Sequence, residues 1–154
     1  MSFEKAKKYL QEKGYEDHII ELEDSSATVQ LAAEALGVEP GMIAKTLSFL
    51  VSDTPILILA EGTARVDNHK YKDTFHVKAK MIPFDDVEKY IGHAPGGVCP
   101  FGIKEGIPVY LDESLKKFDT VYPAAGNDHS AVRLTIAELE AVADAEKWVD
   151  VCKE

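Results

Sequence analysis

The sequence predicts an α+β fold, a curved mixed or antiparallel sheet with surrounding helices, and three observations carry that expectation. Two strongly apolar runs, Ile43 to Ser52 and Pro55 to Ala60, follow one another across Asp53-Thr54 like adjacent strands joined by a tight connection. Segments with helical spacing of apolar residues alternate irregularly with strand-like segments, unlike the regular βαβ order of a doubly wound parallel sheet. The 154 residues, 45% hydrophobic and 29% charged, suffice for one compact domain with its own core.

Taken in order, Phe3, Ala6, Tyr9 and Leu10 recur at helical spacing before Gly14, so Ser2 to Gly14 reads as an amphipathic helix. His18 to Leu22 reads as a short strand. Thr28 to Leu36 is a second helix, with Val29, Leu31, Ala32, Ala35 and Leu36 on its apolar side and Gly37 at its end. Val38-Glu39-Pro40-Gly41 breaks the pattern, and the two central strands follow. Asp67 to Phe75 and Pro83 to Ile91 read as helices, Pro83 suiting a first turn. After a glycine-rich turn come strands at Ile107 to Leu111, Thr120 to Ala125 and Ala131 to Leu134. Thr135 and Glu138 have the spacing of a capping box, opening a last helix that reaches about Asp144.

Composition narrows the function. A net charge of −10 argues against a broad basic surface for nucleic acid, so any such contact must be local. Arg65 to Lys80, with Arg65, Lys70, Lys72, Lys78 and Lys80 against Asp67 and Asp73, is the best local candidate, although a solvated helix face explains it equally simply. No apolar stretch approaches the roughly 18 to 20 residues of a membrane span, and the N-terminus lacks the apolar core of a signal peptide. A cytoplasmic location is therefore expected. Cys99 and Cys152 read as reduced thiols, and His18, His69, His76, His93 and His129 lack zinc-type spacing, so neither metal nor cofactor is expected. Phosphate-binding, dinucleotide and nucleophile-elbow motifs are also missing.

Two features could carry chemistry. Lys45 stands inside the apolar run Ile43 to Val51, where an ammonium is costly unless it reaches water or an anion. It reads either as a pocket cation or as a strand-end lysine whose stem packs while its amine reaches solvent. Gly96-Gly97-Val98-Cys99-Pro100-Phe101-Gly102 can bring backbone N–H groups close to a ligand, or can simply link Ile91 to Ile107. Cys99 is either a nucleophile, with His93 or His129 as base, or a small residue packed in a tight turn. Ala124-Ala125-Gly126-Asn127-Asp128 is a second turn that could form another wall of a pocket or a plain hairpin.

At these residues the chain resembles the YbaK/ProX family of aminoacyl-tRNA deacylases, related to the editing domain of bacterial prolyl-tRNA synthetases. The resemblance covers most of the chain. It rests on Ala32-Ala33-Glu34-Ala35-Leu36-Gly37, Ile43-Ala44-Lys45-Thr46-Leu47, the glycine turn at Gly96 to Gly102, Val109 to Leu115, Val121-Tyr122-Pro123-Ala124-Ala125-Gly126 and Arg133-Leu134-Thr135. It implies hydrolysis of the ester joining a wrong amino acid to the 3′ end of tRNA, without a cofactor. Partners would be the aminoacylated tRNA acceptor end and an aminoacyl-tRNA synthetase. It assigns catalysis to Lys45 and substrate binding to Thr46, Gly96, Gly97, Val98, Cys99, Pro100 and Gly126. Around the Gly126 turn and the following strand, relatives that remove cysteine carry a serine and an aspartate where this chain has Ala124 and Ala131. Cys99 stands where serine or threonine is usual. The resemblance therefore implies another small amino acid, such as alanine, serine or threonine. A ligand-binding or regulatory module on the same fold is the alternative, and a Cys99-dependent hydrolase a third reading.

Overall fold

The computed structural model describes residues 2–153. In chain order the elements are α1 (Ser2–Lys13), β1 (Ile19–Glu21), α2 (Val29–Leu36), β2 (Ala44–Val51), β3 (Thr54–Glu61), β4 (Arg65–Val66), α3 (Asn68–Phe75), α4 (Val87–Ile91) and β5 (Val109–Asp112). They continue with β6 (Thr120–Val121), β7 (Ser130–Val132), β8 (Leu134–Thr135), α5 (Ile136–Val142), β9 (Lys147–Val149) and β10 (Cys152–Lys153).

The central sheet is mixed, in the order β2-β3-β5-β9. β2 and β3 are antiparallel with Lys45 opposite Ala60, whereas β5 runs parallel to β3 and β9 parallel to β5. Ser52 (φ 48°) and Asp53 (φ 69°) turn the hairpin, one position earlier than the sequence suggests. A two-residue turn with both central residues left-handed matches the strand twist, and Asp tolerates that conformation better than most residues.

Strict alternation along β3 divides the core. Leu57 and Leu59 join Ala44, Leu50 and Leu111 in a large cluster with α1, α5 and the buried Phe101. Ile56, Ile58 and Ala60 face the other way, onto Phe49 and the Tyr71 and Phe75 rings of α3. Both faces of β3 are buried, which is why its residues 56–60 read as a continuous apolar run rather than an alternating one.

Three two-stranded ribbons surround this sheet: β1 with β7, β6 with β8, and β4 with β10, all antiparallel. The expected strand over Thr120 to Ala125 ends at Val121, because Pro123 has no N–H to continue a ladder. Its neighbours still bond irregularly, Tyr122 N–H to Met42 O (2.8 Å) and Val132 N–H to Pro123 O (2.8 Å). The expected helix over Pro83 to Ile91 begins as a 3-10 turn at Phe84–Asp86 before α4. The last helix stops at Val142, two residues short of the expected Asp144, which is itself left-handed (φ 53°). Its opening capping box is formed, Thr135 N–H bonding Glu138 Oε1 at 2.9 Å. Among the described residues no helix is long and apolar enough to cross a membrane.

Candidate functional site

A cavity of about 310 Å³ opens between the start of α2, the even-numbered face of β2 and the two glycine turns. Thr28 caps α2 by accepting the Leu31 N–H (3.1 Å), and Thr28, Val29 and Ala32 form one wall. Ala44, Thr46 and Ser48 form the floor, because β2 points every second side chain to this face. Pro95, Gly96 and Val98 close one side, and Ala124, Ser130 and Ala131 the other. Phe84 and Val87 stand on the remaining rim.

The lining carries hydroxyls, small apolar groups and one cation, with no carboxylate, imidazole or thiol among the described residues. Besides Thr28, the Ser26 and Ser130 hydroxyls are engaged. Ser130 N–H donates to Ser26 Oγ (3.3 Å), Ser26 Oγ donates to Ser130 O (3.4 Å), and Ser130 Oγ donates to Asn127 Oδ1 (2.6 Å). The Thr46 hydroxyl is buried without a hydrogen-bond partner among the described residues. An unpaired buried hydroxyl costs stability unless something arrives to bond it.

Lys45 is part of the lining, but its stem follows the odd-numbered face of β2 and its ammonium bonds the carbonyls of Gly62 (3.3 Å) and Ala64. An ammonium has three donors, so one remains for a ligand. Burial holds the Lys45 amine below the usual lysine range, partly offset by Cys152 and Glu61. The turn supplying these carbonyls is built by Glu61, whose Oε1 accepts from the Thr63 N–H, the Thr63 hydroxyl (2.5 Å) and the Ala64 N–H (3.0 Å), while Oε2 meets Lys117 at 3.4 Å. Burial alone would raise the Glu61 carboxyl; the Thr63 and Lys117 bonds outweigh it and hold the group low. Gly62 is sterically required, since a Cβ there would lie 2.0 Å from Pro40 O and 2.7 Å from Val29 Cγ1.

Of the residues singled out from the sequence, Lys45, Thr46, Gly96 and Val98 meet at the cavity. Gly97, Cys99, Pro100 and Gly126 are buried behind it. A Cβ on Gly97 would lie 2.6 Å from the Asn127 backbone and from Gly126 C, so the two glycine turns pack directly against each other. Gly97 N–H bonds Ala94 O (3.1 Å), whereas Val98 and Cys99 N–H have no backbone acceptor among the described residues.

Cys99 and His93 are both fully buried, with Sγ and Nε2 3.5 Å apart. His93 Nε2 lies 2.6 Å from Phe101 O and so carries the proton, leaving nothing to draw one from the thiol. Burial lowers the His93 pKa and pushes the Cys99 thiol up to about 12, the reverse of a reactive thiolate. The pair is a packed element of the turn.

Glu61, Gly62, Phe84 and the Ser26-Ser130 pair belong to the site without having stood out in the sequence. Only Glu61-Gly62, an acid and a glycine closing an apolar strand, left a visible signal.

The aminoacyl-tRNA editing domain model matches residues 23–142. An uncharacterized protein of Bacillus subtilis, YwhH, is 45% identical over 155 residues, covering 100% of this chain and 99% of its own length. A protein of Enterococcus faecalis provisionally named a Cys-tRNA(Pro)/Cys-tRNA(Cys) deacylase, EbsC, is 28% identical over 78% of this chain and 74% of its own. The proline–tRNA ligase of Bacillus subtilis is 27% identical over 86% of this chain, which corresponds to only 23% of the ligase. A crystal structure provisionally described as a trans-editing enzyme for prolyl-tRNA synthetase superposes with a TM-score of 0.88 at 30% identity, covering 99% of this chain and 98% of that one.

Proposed function

Since the chain belongs to the aminoacyl-tRNA editing domain family, we propose that it hydrolyses mischarged aminoacyl-tRNA, releasing a small non-cognate amino acid and free tRNA. The observation that carries this reading is the character of the lining: small side chains, an unpaired Thr46 hydroxyl and a half-buried ammonium, with no acid, imidazole or thiol. An aminoacyl ester is already activated. A site acting on it needs to hold the amino acid, exclude the larger one and stabilise the oxyanion formed when water attacks.

In the proposed reaction the Thr46 hydroxyl bonds the aminoacyl group, and the Val98 and Cys99 N–H groups donate toward the carbonyl oxygen. The third Lys45 N–H stabilises the substrate's negative charge. Water adds to the carbonyl carbon, oriented by the vicinal ribose hydroxyl, and the ester C–O bond breaks with its proton passing to the departing ribose oxygen. This substrate assistance suits a lining without a general base. Both Ala124 and Ala131 line the cavity, so that wall offers methyl groups in place of further polar or charged side chains. Alanine, serine or threonine fits such a wall, with size discrimination worth about 1–3 kcal/mol per methylene. The partner reading is the acceptor end of tRNA, with a synthetase supplying further affinity.

The test is release of amino acid from tRNAs charged with alanine, serine, threonine, cysteine or proline, by wild type and Lys45→Ala. Selective release that falls at least tenfold in Lys45→Ala supports the reading. No release above the spontaneous rate, with candidate synthetases present, turns the same pocket into a ligand-binding module.

A further inference from the structure

Phe84 is 75% exposed although it stands on the rim of the cavity, and Met81, close by in sequence, is 56% exposed. An exposed aromatic ring on the rim of a pocket, with a second apolar side chain close by in sequence, offers a surface on which a ligand can rest. The segment leading to them is fixed. Leu50 N–H bonds Lys80 O (2.8 Å), Ile82 N–H bonds Ser48 O (3.1 Å), and Met81 pairs with Phe49 across a single bridge. Residues 80–82 thus pair with the outer edge of β2, and in the segment that leads to them Val77 and Ala79 pack inward while Lys78 and Lys80 are exposed. Ser48, which holds this edge, is in the cavity floor.

We propose that this edge is the track for the single-stranded 3′ end of the tRNA, with Lys78 and Lys80 on its phosphates and the Phe84 ring stacked against the terminal adenine. The inference rests on the deacylase reading and names the group that delivers the ester to the pocket. Charge complementarity selects a polyanion: in a chain of net charge −10, two exposed lysines two positions apart stand on the segment that pairs with the strand forming the cavity floor. Asp85 and Asp86 follow Phe84 directly and repel phosphate there, so the ring meets the neutral face of a base. An aromatic platform accepts any base by stacking, while the cavity behind it receives what the terminal ribose carries.

The experiment measures binding of two uncharged RNA hairpins, one ending in CCA and one lacking the terminal adenosine, by fluorescence anisotropy at low salt. Wild type, Phe84→Ala, Phe84→Tyr and the double variant Lys78→Ala/Lys80→Ala are compared. Removing the adenosine should weaken wild type about tenfold, and Phe84→Ala should weaken the CCA hairpin about as much and then ignore the adenosine. Phe84→Tyr should bind like wild type. The double lysine variant should weaken both hairpins alike and reduce the salt slope by about 0.7 per lysine. An equal adenosine penalty in wild type and Phe84→Ala, indifference of wild type to the adenosine, or no detectable binding each overturns the proposal. So does an apolar self-association that Phe84→Ala abolishes without changing RNA affinity. Because the hairpins are uncharged, absence of hydrolysis would defeat the deacylase reading and leave this result standing.

Discussion

Lys45 is bonded to two carbonyls rather than to a carboxylate, so it keeps its full positive charge for a ligand while its position is fixed. Burial lowers its pKa, and the protonated form is the one that can donate. The enzyme-dependent part of deacylation, after subtraction of the spontaneous rate, should therefore decline as pH rises through that lowered value, earlier than for an exposed lysine. A pH profile of wild type against Lys45→Arg checks this, since the arginine does not deprotonate in that range. Cys99 makes the opposite case. Its thiol packs in the core beside His93, and Cys99→Ala should keep substantial turnover while losing about 1 kcal/mol of stability or more through the small cavity left behind. Turnover abolished in a folded Cys99→Ala would restore the thiol reading.

At the scale of elements, the turn from Glu61 to Ala64 decides where Lys45 sits. Gly62→Ala places a methyl against Pro40 O and the Val29 side chain, both fixed by their own elements. We expect it to lower turnover about as much as Lys45→Ala and to cost about 1–3 kcal/mol in thermal unfolding. Glu61 adds a pH signature. Its folded pKa is held below the ordinary carboxylate value, so the stability it contributes is present above that ordinary value and is lost as pH falls through the lowered one. Glu61→Gln should flatten this acid limb of the stability profile.

These same elements show what was legible beforehand. β2 and β3 announce themselves because strongly apolar runs leave few alternatives, and α2 and α5 because Thr28 and Thr135 cap them as the spacing predicts. β4, β9 and β10 went unread because strands of two or three residues have no periodicity of their own; they exist because the rest of the sheet offers them an edge. The cavity was anticipated at Lys45, Thr46 and the glycine turn. What could not be read was direction: a strand position tells which face a side chain leaves from, not that the Lys45 ammonium would bend to the carbonyls of a turn 17 and 19 residues onward.

For the whole molecule, the surface charge and the site pull in different directions. With 27 acidic against 17 basic residues, the protein repels an RNA over most of its surface and attracts it only locally. Binding of full-length tRNA by the isolated protein should therefore be weak, with a log K against log salt slope of about −2 to −3. A slope near −10 would mean a broad contact that this surface does not offer. The cavity itself is assembled from stretches far apart in sequence, from Ser26 to Ser130, so it exists only once the β1–β7 ribbon has joined the sheet. Added affinity from a synthetase would then act on a site already formed.

The β4–β10 ribbon begins immediately after the turn that holds Lys45. Cys152 pairs with Val66 and Lys153 with Arg65, Asp67 N–H bonds Val151 O (2.8 Å), and Lys70 Nζ bonds Cys152 O (3.0 Å). Opening of this ribbon would thus slacken the lysine's mooring while leaving the pocket walls, Thr46 and the two glycine turns in place. A molecule opened only here would still recognise its ligand but turn over poorly, so the fraying of one short ribbon would idle this protein at temperatures well below its global unfolding.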